Sequence, residues 1–186
     1  HAVPVDTVIA QLDAVADDVQ IDAVKIGMLG EATLVRAVGD WLRRRRPPHI
    51  VLDPVMVATT GGRLATDEAA SMLRELVPIV DLVTPNVPEL GVLCGLDTAQ
   101  DIEGIVGQAE LVHEQTGSAV LATTGDLLDG SAEDVLVESE GRRRTTRRLP
   151  FVRVDTPHTH GTGCSLSSAM ATARVGADDW RSAYAR

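Results

Sequence analysis

Aromatic residues and cysteines are scarce in this chain. Aromatic side chains make up 2% of the 186 residues, against 44% hydrophobic residues overall, so aliphatic side chains must build the core of one globular domain. The two cysteines, Cys94 and Cys164, are too few for a disulfide framework and show no spacing typical of zinc sites. No apolar run is long enough to span a membrane, and the chain does not open on a signal peptide. We therefore expect a globular protein of a reducing cytoplasm.

Positive charge is also in short supply. The chain has 17 Lys and Arg residues against 27 Asp and Glu residues, which gives a net charge of −10. Binding to a nucleic-acid backbone needs clustered cations, so we expect no nucleic-acid partner, and no membrane partner either. The one basic cluster, Arg142–Arg148, is more typical of a solvated strand edge or loop than of an anion-binding patch.

Helical and strand patterns alternate along the chain. Apolar spacing predicts helices at 5–12 and onward, 32–43, 67–76 with Thr66 as N-cap, 88–94, 101–115, from Gly163, and 178–186. Short apolar runs predict strands at 23–26, 49–52, 80–84 and 119–122, followed by a hairpin of 134–138 and 147–154 around Gly141. Such alternation indicates βαβ units around a mostly parallel, buried sheet, an α/β fold.

Polar and glycine-rich residues follow the predicted strands. They are Gly27-Met28, Asp53–Met56, Thr84–Asn86, Thr123–Gly125 and, before the last long helix, Gly161–Cys164. In open α/β sheets, ligands bind beyond the carboxyl ends of the strands. Five coincidences of this kind favour a functional site at that edge of the sheet.

The segment Gly161-Thr162-Gly163-Cys164 opens a run of small residues that predicts a helix. Unpaired N–H groups and the helix dipole make a helix N-terminus suited to a phosphate. The same field should lower the pKa of the Cys164 thiol, so that its thiolate could act as a general base. A glycine-rich turn into a buried helix, with Cys164 as a small core residue, explains this segment equally well.

Two acidic residues and an amide stand at or just past strand ends. Asp53 and Glu89 carry the hard oxygen ligands that suit Mg²⁺ with its waters retained, and Asn86 lies three residues before Glu89. Each also has a structural interpretation. Asp53 could be a turn residue before Pro54, and Asn86 with Glu89 could be a helix cap with an early-turn acid. Taken singly, the structural interpretations are favoured.

The motifs together resemble a known family. Lys25–Leu29 (Lys-Ile-Gly-Met-Leu), Leu52–Val57 (Leu-Asp-Pro-Val-Met-Val), Thr84–Glu89 (Thr-Pro-Asn-Val-Pro-Glu) and Thr159–Ser165 (Thr-His-Gly-Thr-Gly-Cys-Ser) come in the order found in the hydroxymethylpyrimidine/phosphomethylpyrimidine kinases of thiamine biosynthesis. The resemblance covers nearly the whole chain and implies a ribokinase-like three-layer α/β/α fold. Its last motif is the most specific, since most sugar kinases of that superfamily carry Asp where Cys164 stands.

The resemblance implies the catalytic roles. Gly161, Thr162 and Gly163 would form the anion hole over the transferred phosphoryl group, and Cys164 would deprotonate the substrate hydroxymethyl group. The reaction would phosphorylate 4-amino-5-hydroxymethyl-2-methylpyrimidine with ATP, and then phosphorylate the monophosphate.

The resemblance also implies the binding residues. Asp53, Asn86 and Glu89 would place Mg²⁺, its waters and the ATP phosphates, and Met28 and Val55 would line the wall against the pyrimidine ring. The nucleotide would further contact the residues at the family's Val-Lys-Gly-Gly-His position, here Thr123, Thr124 and Gly125 before Asp126. A homo-oligomer formed through the sheet edge is common among such relatives.

The chain departs from the family pattern at several points. The family's N-terminal Gly-Ser-Asp…Gly-Gly-Gly-Ala-Gly segment and its first strands are missing, and the chain stops at Arg186 before the family's last nucleotide-pocket residues. Thr123 replaces a phosphate-binding Lys, Thr59-Thr60 stands where another Lys is expected, and His158 replaces the usual Asn. We therefore expect residues 1–186 to be the central and C-terminal part of a single kinase domain.

Two rival functions follow from the same residues. One is a pyridoxal or pyridoxamine kinase of the cysteine type, whose distinguishing pocket residues would lie in the missing segment. The other is a non-catalytic domain that binds a nucleotide or a pyrimidine. Loss of the Lys at Thr123 favours it, and the intact run from Gly161 to Cys164 disfavours it.

Overall fold

The computed structural model describes residues 3–56, 67–125, 132–154, 156 and 160–186. Seven helices lie in these ranges: α1 (Val5–Asp18), α2 (Ala32–Arg45), α3 (Asp67–Leu76), α4 (Val87–Cys94), α5 (Ile102–Thr116), α6 (Thr162–Arg174) and α7 (Trp180–Tyr184). A 3₁₀ helix, Val77–Ile79, follows α3. Among the described residues, none of the helices has the length and apolar character needed to cross a membrane.

Six strands form one sheet in the order of the chain. They are β1 (Val24–Ile26), β2 (Ile50–Leu52), β3 (Leu82–Val83), β4 (Ala119–Ala122), β5 (Glu133–Glu140) and β6 (Arg143–Pro150). The first four strands pair in parallel, with Ile26 opposite Leu52 and Val83 opposite Val120. β5 and β6 are antiparallel additions at the far edge. The carboxyl ends of four strands therefore meet at one edge of the sheet.

Helices cover both faces of the sheet. One face carries the larger hydrophobic cluster, in which β-strand residues such as Leu52 and Val120 pack with Trp41 of α2, Leu73 of α3 and Ile105 of α5. The opposite face carries a smaller cluster. Its strand members alternate in sequence with those of the first face, as the period of two in a strand requires. The result is the three-layer α/β/α architecture.

The smaller cluster joins the sheet to the last two helices. Val51, Leu82 and Leu121 of the parallel strands pack there with Met170 of α6 and Trp180 of α7. α6 thus lies across the sheet face with its first turn near the carboxyl ends of β1 and β2, which it contacts directly.

The predicted helices and strands are confirmed, with shifts at their ends. β3 is shorter than predicted, and α5 begins at Ile102 because the Asp101 side chain accepts a hydrogen bond from Gly104 N at 2.8 Å and so acts as its N-cap. β6 begins at Arg143 rather than Arg147. The predictions for Thr66, Val57, Thr59, Thr60, Asp126, His158 and Thr159 lie outside the described residues.

The basic cluster lies on the edge strand, as predicted. Arg144 forms ion pairs with Glu110 and Glu114 of α5, and Arg147 pairs with Glu140 of β5. Arg148 pairs with Glu103 at the start of α5. These arginines hold the edge strand to acidic neighbours.

Candidate active site

Backbone hydrogen bonds tie the carboxyl ends of the parallel strands together. Asp53 N donates to Ile26 O at 2.8 Å, and Thr84 N donates to Leu52 O at 2.9 Å. One step further along the sheet, Thr123 N donates to Pro85 O at 2.9 Å. The residues that follow each strand are therefore held side by side, which confirms that they share one edge of the sheet.

The α6 N-terminus begins at a glycine in the left-handed region. Gly161 is the N-cap with φ 80° and ψ 3°, a conformation that a residue with a Cβ adopts only under strain. Its carbonyl accepts hydrogen bonds from Ser165 N and Ser165 Oγ, both at 2.9 Å. The N–H group of Gly163 belongs to the first turn, where the helix itself supplies no acceptor.

Space lies open above this turn. Apart from its chain neighbours and the backbone of its own helix, no heavy atom of the described residues lies within 4 Å of where a Cβ on Gly163 would be. Glycine at this position is therefore not demanded by packing inside the protein. An open approach to the N-terminus of a 13-residue helix is what an anion-binding site needs.

Asp53 connects three elements below this turn. Its carboxylate is 5% exposed and lies 3.3 Å from Lys25 Nζ of β1. Its Oδ2 also accepts a hydrogen bond from Ser167 Oγ of α6 at 3.1 Å, and Ser167 is fully buried. A nearly buried acid between a lysine and a helix hydroxyl fixes the position of α6 relative to β1 and β2.

Cys164 is an exposed, free thiol beside this ion pair, so the interpretation of Cys164 as a core residue is wrong. Its pKa is raised above the ordinary value by partial burial first, then by the hydrogen bond to Asp53 and the negative charge of that carboxylate. Lys25 acts in the opposite direction. The expectation of a lowered pKa is therefore wrong, because partial burial and the neighbouring carboxylate of Asp53 both disfavour the thiolate.

Asn86 and Glu89 form a capping box at the start of α4. Asn86 Oδ1 accepts a hydrogen bond from Glu89 N at 2.9 Å, and Glu89 Oε2 accepts one from Asn86 N at 3.0 Å. Glu89 Oε1 accepts a third hydrogen bond from Met56 N at 3.3 Å, which ties the segment after β2 to α4. The structural interpretation of this pair is confirmed, and it leaves Glu89 buried, with 5% exposure, at the edge where the strands end.

The acids at this edge suit a hydrated cation better than a dehydrated one. No group of three or more His, Cys, Asp or Glu residues within the described ranges could hold a metal directly. Both oxygens of Glu89 already accept backbone N–H bonds. Carboxylates that are already engaged by the protein fit Mg²⁺ that keeps most of its waters better than an ion that must be bound directly.

The turn after β4 holds three predicted binding residues in different settings. Thr123 is partly exposed and forms a bridge with Asn86, which aligns it with the start of α4. Thr124 is fully buried, and its hydroxyl donates to Glu133 O at 2.7 Å while its N–H donates to Asp134 Oδ1 at 3.0 Å. Gly125 is exposed, and its carbonyl accepts from Arg153 at 2.6 Å. Thr123 and Gly125 thus face outward on either side of a buried Thr124.

Apolar surface lies next to the site. The Met28 side chain is 54% exposed just beyond the end of β1, and Val55 is partly buried just beyond β2. These two predicted substrate-contacting residues follow neighbouring strands. An exposed methionine at a strand end offers an adaptable apolar wall to a planar ligand.

The sequence did not reveal a role for three polar residues of the site. Lys25 carried a signal, since it is a lone charged residue in an otherwise apolar strand. Ser167 and Asp134 carried none, because Ser167 lies 114 residues from Asp53 and Asp134 lies 10 residues from Thr124, and each pair meets only in the folded chain.

Comparisons with known proteins agree with this geometry. The chain is 44% identical over 177 residues to the thiamine biosynthesis multifunctional protein ThiED of Corynebacterium efficiens, a match that covers 95% of this chain and 23% of that protein. It is 39% identical over 174 residues to the hydroxymethylpyrimidine/phosphomethylpyrimidine kinase of Haemophilus influenzae, covering 91% of this chain and 63% of that kinase. The chain therefore spans under two thirds of the length of either relative.

Among solved structures, an ADP complex of Bacillus subtilis pyridoxal kinase superposes with a TM-score of 0.88 at 29% identity, over 100% of this chain and 67% of that one. This likeness confirms the ribokinase-like fold. The family model described as phosphomethylpyrimidine kinase matches residues 1–186. A match along the whole sequence given, together with relatives near 40% identity, means that this chain belongs to the phosphomethylpyrimidine kinase family.

Proposed function

We propose that residues 1–186 belong to a single kinase domain that transfers phosphate from ATP to 4-amino-5-hydroxymethyl-2-methylpyrimidine, and then to its monophosphate, in thiamine biosynthesis. The observation that carries the proposal is the exposed Cys164 in the first turn of α6, next to the ion pair of Lys25 and Asp53. A thiol and a helix N-terminus lie there within one turn, which supports the proposal because phosphoryl transfer to a hydroxyl requires a base and an anion-binding site.

The proposed chemistry uses few protein groups. The substrate hydroxymethyl oxygen attacks the γ-phosphorus of ATP, its proton passes to the Cys164 thiolate, and the bond from that phosphorus to the ADP oxygen breaks. N–H groups around Gly161, Thr162 and Gly163 stabilise the charge on the transferred phosphoryl group. Partial burial and Asp53 oppose the thiolate and Lys25 favours it, so the balance among these influences sets the supply of base.

Nucleotide and metal binding are assigned to the neighbouring strand ends. Asn86, Thr123 and Gly125 would contact the ATP phosphates, with the buried Thr124 shaping the turn from below. Asp53 and Glu89 would hold Mg²⁺ through its waters. Bound there, the ion would screen the phosphate charge and offset the charge of Asp53 beside Cys164.

The acceptor site would lie over the exposed Met28 and over Val55. The similarity to a pyridoxal kinase structure makes pyridoxal the second candidate acceptor. Both are hydroxymethyl-bearing aromatic heterocycles, so the same base and anion site would serve either. The free thiols of Cys94 and Cys164 fit a reducing compartment, and we propose a cytoplasmic location.

The test is turnover of ATP and Mg²⁺ with each acceptor in the wild-type chain and in Cys164→Ala. We expect pyrimidine-dependent turnover, with kcat reduced at least about 100-fold in the variant because general-base assistance is lost. Cys94→Ala is the matched control. Cys94 lies in α4, where its thiol donates to Leu90 O at 3.1 Å, and its replacement should leave turnover unchanged.

Three other outcomes would change the proposal. Equal turnover in Cys164→Ala would remove the thiolate mechanism, and preference for pyridoxal would replace the pyrimidine as acceptor. Nucleotide binding by calorimetry without turnover on either acceptor would identify a non-catalytic binding domain, in line with Thr123 in place of the family's lysine.

A further inference from the structure

Strand β5 carries two buried acids on the face that α7 covers. Asp134 is 6% exposed and Glu138 is 3% exposed, and both lie on the same face of the strand as Leu136 of the smaller core cluster. Burial raises the pKa of both carboxyl groups above the ordinary range. Buried acids of this kind cost free energy unless their oxygens are hydrogen-bonded, so their partners show what they hold.

The two acids fix the two ends of α7. Glu138 Oε2 accepts a hydrogen bond from the backbone N–H of Trp180, the first residue of the helix, at 3.1 Å. Asp134 Oδ2 accepts a hydrogen bond from the phenol of Tyr184, the last residue, at 3.0 Å. A five-residue helix is too short to be stable alone, so these contacts and the packing of Trp180 hold it in place.

Asp134 has a second partner that Glu138 lacks. Its Oδ1 accepts the N–H of Thr124 at 3.0 Å, in the turn between β4 and β5. The Thr124 hydroxyl donates to Glu133 O at 2.7 Å, so this residue is held at two points. One carboxylate thus connects the phenol on α7 with the backbone that runs between Thr123 and Gly125.

We propose that Asp134 is a positioning residue for the nucleotide site, with Tyr184 orienting its carboxylate so that it holds the Thr123–Gly125 turn in its binding conformation. This inference rests on the proposed assignment of that turn to ATP. A carboxylate with two donors on different elements has one orientation, whereas a carboxylate with one donor can rotate. Loss of the phenol therefore loosens the turn through the carboxylate of Asp134.

Four variants separate positioning from stability. Asp134→Ala removes both hydrogen bonds, and Tyr184→Phe removes the phenol alone. Asp134→Asn keeps an oxygen for Thr124 N and an amide that can donate to the Tyr184 oxygen. Glu138→Ala is the matched control, because it removes the other buried acid on the same strand face and unpairs the opposite end of α7 without touching the turn.

Two readouts on the full chain test the proposal. Calorimetry should give an ATP–Mg²⁺ dissociation constant about threefold higher in Tyr184→Phe and about tenfold or more higher in Asp134→Ala, with Asp134→Asn close to wild type. Amide exchange at Thr124, followed by NMR, should accelerate in the first two variants. Glu138→Ala should lower thermal stability while leaving ATP affinity and Thr124 exchange unchanged.

The result that overturns the proposal is equal ATP affinity in wild type and Tyr184→Phe, or an equal loss in Tyr184→Phe and Glu138→Ala. A wild-type chain that binds no ATP would instead overturn the proposed nucleotide site, and this inference with it. The two failures are distinct, since the first requires measurable wild-type binding. Should Asp134→Ala not fold, the comparison of Tyr184→Phe with Glu138→Ala decides alone.

Discussion

Gly161 and Gly163 are separated by one residue at the start of α6, and they are glycines for different reasons. Gly161 has φ 80°, so a Cβ there is strained whatever space surrounds it. Gly163 lies inside α6 with open space on its Cβ side. We expect Gly161→Ala to lower the free energy of unfolding by about 1–2 kcal/mol. Gly163→Ala should raise it by up to about 1 kcal/mol, since alanine is the better helix residue.

We nevertheless expect turnover to fall in both Gly161→Ala and Gly163→Ala. A methyl group on Gly163 would project into the space proposed for the phosphoryl group, and we expect kcat to fall about 100-fold from misplacement of the reacting groups. Urea unfolding and turnover measured on the same preparations check both parts. Full activity in a stabilised Gly163→Ala would show that no ligand group approaches that turn.

At the residue scale, the sequence indicates which types of side chain belong to the candidate site better than it indicates the residues that they contact. The Asn86 and Glu89 capping box follows from a three-residue spacing, which is local and visible in the chain. The raised pKa of Cys164 could not be predicted, because the carboxylate of Asp53 reaches it only after β2 and α6 pack together. The electrostatic effect of a residue that is distant in sequence depends on the fold, so it cannot be predicted from the sequence.

At the element scale, β6 shows how an edge strand forms without an apolar pattern. Its Arg and Thr residues pair in register with β5 from Glu140–Arg143 to Glu133–Pro150. Arg144 reaches Glu110 and Glu114, which lie one turn apart on α5, and the Thr146 hydroxyl donates to Glu110 at 2.6 Å. Polar contacts to a helix thus replace the hydrophobic face that most strands bury.

We expect Arg144→Ala to lower the free energy of unfolding by up to about 1 kcal/mol at low salt, because both ion pairs are partly solvated. The loss should shrink in 1 M NaCl, where a Debye length of about 3 Å screens such pairs. Arg143→Ala, on the opposite face of the strand, is the control and should cost less. A loss from Arg144→Ala that does not depend on salt would mean that packing of the arginine stem is responsible instead.

Strand β6 also shows where prediction from apolar periodicity fails. Helices α1 to α5 and strands β1, β2 and β4 carry regular hydrophobic spacing, so their positions were predictable. The first half of β6 has no such spacing, and its start was placed four residues late, at Arg147 rather than Arg143. The shared edge of the strand ends was predictable because parallel strands must align their carboxyl ends. The coupling of α7 to that edge through Asp134 was not.

At the scale of the whole molecule, a net charge of −10 must be reconciled with the proposed ligand, ATP, which is itself an anion. Long-range repulsion slows the approach of such a ligand, so capture depends on local donors. The α6 N-terminus, Lys25 and the turn at Thr123–Gly125 gather these donors at one edge of the sheet. Several of the arginines of β6 are already engaged by glutamates at the far edge.

Burial of acids on β5 makes part of the overall stability depend on pH in an unusual direction. Desolvation raises the pKa of Asp134 and of Glu138 above the ordinary value of about 4. Between that value and the raised one, the native chain binds more protons than the unfolded chain does. The free energy of unfolding therefore falls, as far as these groups are concerned, as pH rises through this window.

Glu138→Gln isolates this effect, since glutamine keeps an acceptor for the Trp180 N–H without the charge. We expect the stability of the variant relative to wild type to increase as pH rises above about 4, and to level off above the raised pKa. Asp179, the N-cap of α7, provides the opposite case, because its hydrogen bonds from Ser182 lower its pKa. Wild type should therefore gain on Asp179→Asn as pH rises toward about 4, a range that lies below the one in which it loses to Glu138→Gln. Urea unfolding of the three proteins at matched pH values measures both differences, and a pH-independent gap for Glu138→Gln would mean that this carboxyl does not titrate differently in the folded chain.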